Sequence, residues 1–479
     1  MKNPIIKLKS VELTNFKNVK HGKIEFKEDK ERNTISNILG IYGQNGSGKT
    51  SMINALYLFK SVVCGKELKE NTYNYICGNE NFATLLFEFR MYENNEQYKV
   101  YYKFEIRKKE KLHNTTSIDE LVNYDLKVKE DVEISKEKLS YSKLENNQWK
   151  NRVTIIDYDI DDKEYDFRPI KNYREVANNN TKKVNLGIAK GLSQEKCTSF
   201  IFNAKTFPIL YYAFFKNAVE SSDIIMGIRI FALFNLFVIQ NDDLGVINSN
   251  LLMPFSYMLK SNKRGSRGSI PIRLFETSVI EIESFDTVEK ILQQINIVIS
   301  TIVPNLKIKI KNYGKETLKN LKEGYKVELL SVRDDNIIPL KYESDGIKKI
   351  ISILSVLIGM FNDESIVVAI DELDAGVFEY LLGEILEILS KSAKGQLIFT
   401  SHNLRALEKL NKDLVVFTTT NPQNRYISLS NVKGTNNLRD FYYRGIILGG
   451  QREELYDETN KYEMSYAFRK AWMINNGQD

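Results

Sequence analysis

The sequence predicts an α/β fold, and three observations carry that prediction. A short apolar strand, Asn37–Tyr42, runs straight into the glycine-rich loop Gly43–Thr50 and then into a helical pattern. Two further apolar strands, Val367–Ile370 and Gln396–Ser401, end in Asp371-Glu372 and in His402. Strand and helix alternate through the last third of the chain, as in a layered α/β lobe.

The elements follow in order. Residues 5–27 alternate and punctuate like two strands joined by a short turn. Beyond the loop, Met52, Ala55, Leu56 and Phe59 fall at helical spacing. The runs Thr84–Arg90, Tyr98–Ile106 and Asp125–Val128 favour antiparallel strands, with Asn94-Asn95 as a turn, and the charged stretch 130–150 reads as a solvated hairpin or loop. Helices are expected over Phe207–Val219 and Asp223–Gln240, and an exposed Lys/Arg/Gly/Ser loop over Lys260–Arg273. A hairpin around Asp334-Asp335-Asn336 precedes the final α/β stretch. Three lobes result: 1–180 with the loop and antiparallel strands, 181–322 as a mostly helical insertion, and 323–479 with the later motifs. A chain of 479 residues is long for a single core.

Composition excludes several classes. Hydrophobic residues make up 42% and charged residues 27%, ordinary for a folded soluble protein. A net charge of +6 from 68 basic and 62 acidic side chains gives no global attraction for nucleic acid, so such binding needs a local patch. Lys260, Lys263, Arg264, Arg267 and Arg273 offer one that could meet phosphate backbones or a partner's acidic face, although a solvated loop without function is the favoured reading. The aromatic cluster Tyr211–Phe215 reads as helix core. Cys64, Cys77 and Cys197 show neither metal spacing nor a disulfide framework, which fits a reducing, cytoplasmic compartment. The apolar runs Ile224–Ile239 and Ile350–Phe361 fall short of the roughly 20 residues of a membrane span. No heptad run long enough for a coiled-coil arm is present.

The chemistry sits in four strings. Gly43, Gln44, Asn45, Gly46, Ser47, Gly48, Lys49, Thr50 and Ser51 satisfy G-x-x-x-x-G-K-[ST] and its following residue. Such glycines let backbone N–H groups crowd phosphates at a helix N-terminus; Lys49 would neutralise the β- and γ-phosphates of ATP, and Thr50 would ligate Mg²⁺. Asp371 would hold the same Mg²⁺ and Glu372 would orient and deprotonate the attacking water. His402, one of only three histidines, would donate a hydrogen bond to the γ-phosphate. Ser344-Asp345-Gly346 begins the helix Ile347–Phe361, with Ser344 as its N-cap, and a capped N-terminus beside a glycine is also an anion site.

The order of these strings resembles the head domain of ABC-type ATPases, a group that includes the SMC, RecF and OLD-like proteins. That resemblance implies an ABC-type head with a mixed sheet, an antiparallel β lobe and a helical insertion. It also implies a homodimer or larger assembly, in which Ser344 and Gly346 act on nucleotide held by a second copy. Leu373-Asp374 would form the loop between heads. The phrase Glu343–Lys349 is similar to the Glu-Ser-Asp-Gly-Thr-Lys pattern of the AAA15 family of bacterial ATPases, and Asn437–Gly450 resembles that family's closing arginine, tyrosine and glycine pattern. The match is weak over about residues 110–320. A transporter signature would read Leu-Ser-Gly-Gly-Gln, which this chain lacks. A metal-sensing glutamine is not placed; Gln194 is a candidate and also reads as a surface residue. The AAA15 resemblance implies anti-phage defence through a separately encoded effector protein. The alternative is a DNA-handling head of the RecF or SMC kind. An OLD-like nuclease would need its nuclease supplied in trans, because no Toprim-like acidic set is found.

Overall fold

The computed structural model describes residues 4–29, 34–111, 129–248, 252–260, 265–318, 322–428, 437–447, 453–456 and 460–475. Its centre is a six-stranded sheet in the order Leu236–Ile239, Val367–Ile370, Gln396–Ser401, Ile38–Tyr42, Val415–Thr418, Tyr426–Ile427. The first five strands are parallel and the last is antiparallel. Every residue of Ile38–Tyr42, Val367–Ile370 and Gln396–Ser401 is buried. A parallel sheet covered on both faces requires such unbroken apolar runs. The shared direction delivers the chain leaving Tyr42, Ile370 and Ser401 to one edge, where open α/β sheets place their ligands.

A second, antiparallel sheet runs in the order Val153–Asp159, Lys129–Glu145, Glu96–Lys111, Phe82–Glu93, Ile5–Phe16, Val19–Glu25. The helix Lys49–Val63 lies between the two sheets. Its Phe59 ring meets Phe87 at 4.6 Å and Phe89 at 5.4 Å between centroids. The other face of the central sheet is covered by the helices Asp345–Asn362 and Glu379–Ser392, and the helix Ile282–Ile302 packs on Asp345–Asn362 in the same separate core. Among the described residues no helix is long and apolar enough to cross a membrane.

Several expectations are corrected. Of the two forms expected for 130–150 the structure has the hairpin, the long strand Lys129–Glu145 turning at Asn146-Asn147 to pair with Gln148–Trp149, but the strand is largely buried rather than solvated. Its charges misled because cross-strand partners satisfy them: Glu133 pairs with Arg107 at 2.7 Å and Lys138 with Asp157 at 2.6 Å. Glu137 is fully buried, accepting bonds from the Tyr102 and Ser199 hydroxyls, both at 2.6 Å, and from the Phe200 N–H. Burial pushes its carboxyl above the usual range.

The helix expected to reach Gln240 ends at Ile230. It passes through a π-turn, Phe231–Asn235, into the strand Leu236–Ile239. An apolar tetrapeptide fits either state, and pairing with Val367–Ile370 decides it. Lys260–Arg273 is not an open loop. Gly265–Arg273 is a strand paired with Leu252–Lys260, with Met253, Phe255 and Ile272 buried beneath. Residues 181–322 therefore contain several strands beside their helices. Within the helix Thr206–Asn217, Phe214 is buried, whereas Tyr212 and Phe215 are exposed. Asp125–Val128, Lys263, Arg264 and residues 448–450 lie outside the described residues.

Candidate active site

The loop closes over its own lysine. Lys49 Nζ donates to the carbonyls of Gly43 and Gln44, each at 2.8 Å. Burial lowers its ammonium to about 8, against the pull of Asp371, Glu372 and Asp374. These carbonyl contacts are weak substitutes for phosphate, which would repay the desolvation of the cation. Gly43 has no room for a side chain, since a Cβ there would fall 1.7 Å from Thr418 Oγ1. Around the loop, Ser47 Oγ and Thr418 Oγ1 lie 2.5 Å apart. Tyr426 Oη donates to the Gly48 carbonyl at 2.7 Å. Asn18 donates to the Gly46 carbonyl and accepts from Ser51 Oγ at 2.9 Å.

The acidic strand end stands beside this loop. Asp371, only 1% exposed, accepts from Thr400 Oγ1 at 2.6 Å and from Thr50 Oγ1 at 3.3 Å. A hydroxyl and one carboxylate so close fit Mg²⁺ that completes its shell with phosphate oxygens and water. Among the described residues no group of three or more acidic, His or Cys side chains could hold a metal by itself.

Glu372 has φ 48°, left-handed and non-glycine, which costs about 1–2 kcal/mol unless its surroundings enforce it. They do so at several points. Its N–H donates to Thr400 Oγ1 at 2.7 Å, and its carboxylate accepts from Asn241 Nδ2 at 3.0 Å. Its carbonyl accepts from Lys349 Nζ, which also reaches the Ala375 carbonyl at 3.0 Å. Burial lowers the Lys349 ammonium to about 8 although Asp374, Glu372 and Asp371 favour its charged form.

His402 follows the strand Gln396–Ser401, and its backbone N–H donates to Asp374 Oδ2 at 2.9 Å. Desolvation and then Lys49 hold its imidazole below the ordinary value, opposed by Asp374, Glu372 and Asp371, so it is neutral near pH 7 and keeps one N–H to donate. A cleft of about 810 Å³ joins Gly46, Lys49, Thr50, Glu372 and His402.

Ser344 and Gly346 do not line that cleft. Ser344 is the N-cap of the helix Asp345–Asn362, accepting from the Ile347 N–H at 3.4 Å. A Cβ on Gly346 would fall 1.9 Å from the Gly376 carbonyl oxygen, so the helix start rests directly on the turn after Asp374. Gln194 bonds Tyr158 and is absent from the cleft lining. The glutamine beside Thr50 and Asp371 is Gln240, just beyond Leu236–Ile239, which donates to Asn54 Oδ1 at 2.6 Å. It lines the adjoining cavity with Thr50 and Asp371. Sequence reading missed Gln240, Asn241 and Lys349; reading Leu236–Ile239 as a strand would have found the first two.

The AAA ATPase domain family (AAA_15) matches residues 6–405. The chain belongs to that family. As a member it is an ATPase that binds nucleotide, and the expected AAA15 resemblance holds over most of its length. No curated protein sequence matches. Among solved structures, an SMC head bound to the C-terminal winged-helix domain of ScpA is similar at 13% identity and TM-score 0.44, covering 89% of this chain and 98% of that one. The SMC head domain of Thermotoga maritima gives 14%, 0.36, 88% and 99%. ATP-bound RecF, a recombination mediator, gives 14%, 0.34, 83% and 94%.

Proposed function

We propose that this AAA ATPase domain is a Mg²⁺-dependent ATP switch whose copies pair through bound ATP. The convergence of Lys49, Thr50, Glu372 and His402 on one cleft, with Asp371 held to Thr50 from the adjoining cavity and with Ser344 and Gly346 outside the cleft, carries the reading. A capped helix N-terminus outside its own cleft supports a role toward phosphate held by another copy. Lys49 binds the β- and γ-phosphates. Thr50 and Asp371 hold Mg²⁺, with Gln240 beside them. Bound Mg²⁺ supplies charge neutralisation across the phosphate oxygens. Glu372 takes the proton of the attacking water, and neutral His402 donates to the γ-phosphate.

Ser344→Arg tests the pairing. Turnover should be lost while a single subunit keeps its ATP affinity. Mixing Ser344→Arg with Glu372→Gln subunits should restore part of the hydrolysis, because one site of the mixed pair then has an intact base and an intact serine. Parallel loss of ATP binding, or no recovery on mixing, removes the trans assignment.

The cellular role we infer, from the AAA15 resemblance, is cytoplasmic control of a separately encoded effector in anti-phage defence. Expressed with its neighbouring genes, the chain should lower phage plating efficiency, and Lys49→Ala should abolish that protection. Unchanged plating, together with ATP-dependent retention of duplex DNA, would favour the DNA-handling alternative.

A further inference from the structure

We propose that Lys349 is a positioning residue for the hydrolytic step, fixing the backbone of Glu372 to the helix that begins at Ser344. The inference rests on Glu372 being the general base. Lys349 is buried and belongs to the helix Asp345–Asn362, and among the described residues no ion pair joins its ammonium to the nearby carboxylates of Asp374, Glu372 or Asp371. It donates instead to two backbone carbonyls, those of Glu372 and Ala375. Those carbonyls open and close the short turn in which the Ala375 N–H bonds back to the Glu372 carbonyl at 3.0 Å. One residue beyond that turn, Gly376 packs against Gly346.

The helix start therefore grips the turn at two places, one steric and one polar. The left-handed conformation of Glu372 needs such enforcement, because a non-glycine residue leaves that region when its restraints are lost. Asn241 holds the carboxylate from the opposite side, so only the backbone depends on Lys349. A displacement of the Ser344 helix thus reaches the base through the main chain, without any contact between Ser344 and the base's own carboxylate.

The test is a kinetic cycle. Lys349→Met should lower kcat by about 10- to 100-fold while ATP affinity, read with a fluorescent nucleotide, stays within about twofold. Lys349→Arg, which keeps donors in reach of both carbonyls, should recover part of kcat. Added to Glu372→Gln, Lys349→Met should cause no further loss, because residues that act through one another are not additive. ATP affinity falling in step with kcat, or a multiplied loss in the Gln background, overturns the proposal. If Glu372→Gln alone hydrolyses at the parental rate, the general-base reading fails first and visibly. Should Lys349→Met not fold by circular dichroism, Lys349→Gln, too short to reach both carbonyls, decides: lowered kcat at unchanged affinity supports the role, and wild-type kcat overturns it.

Discussion

Glu372→Gln is expected to slow ATP hydrolysis by about 10²- to 10⁴-fold while ATP stays bound. The substitution is isosteric, and a glutamine oxygen can still accept from Asn241 Nδ2. Lys349 and Thr400 hold only the backbone of residue 372, so neither is disturbed. Asp371, Thr50 and Lys49 keep their partners, so nucleotide affinity should remain. What disappears is the proton acceptor. If ATP joins two copies, the uncleaved nucleotide should also hold them together, which gel filtration in ATP would read as a persistent dimer. Hydrolysis at the parental rate would move the base elsewhere, with His402 the next group on the cleft wall.

Gly346→Ala should have the second largest effect, and for a steric reason. The new methyl would meet the Gly376 carbonyl oxygen at 1.9 Å, and that atom belongs to a turn fixed by Lys349 and by the Asp374 carboxylate. Neither side can give cheaply, so a cost of about 1–3 kcal/mol is expected, read as a lower urea midpoint at unchanged m-value. Turnover should fall by far more than ATP affinity, because Gly43–Ser51 is not touched. Ser344→Ala provides the comparison. It removes a cap worth about 1 kcal/mol without any clash, so its effect on stability should be the smaller. Equal losses in the two variants would mean that the close contact at Gly376 is not what constrains the helix.

The loop, the acidic pair and the histidine were legible because each is a short local string whose flanking strand is buried throughout and largely apolar. Position along a parallel strand then fixes position at the sheet edge, which a sequence states directly. Gln240 was not legible, because its place depends on a strand whose four apolar residues fit helix and strand alike. Lys349 and Asn241 were hidden for a different reason. Each acts on residue 372 from far along the chain, 23 and 131 positions away respectively, and no local pattern marks such contacts. The strand Lys129–Glu145 was obscured by its own charges, which look solvated until Arg107 and Asp157 are placed beside them.

The supports of the phosphate loop also bear on how the protein is made. Thr418 and Tyr426 brace Ser47 and Gly48 across 371 and 378 positions of sequence. At ribosomal speeds the loop emerges roughly 20–75 s before Thr418 exists. A nascent chain, or one cut short by a premature stop, carries the complete loop motif without the wall that shapes it. Competence to hold nucleotide is thus acquired only once Thr418 and Tyr426 have been made, and copies cut short before them lack the braced loop.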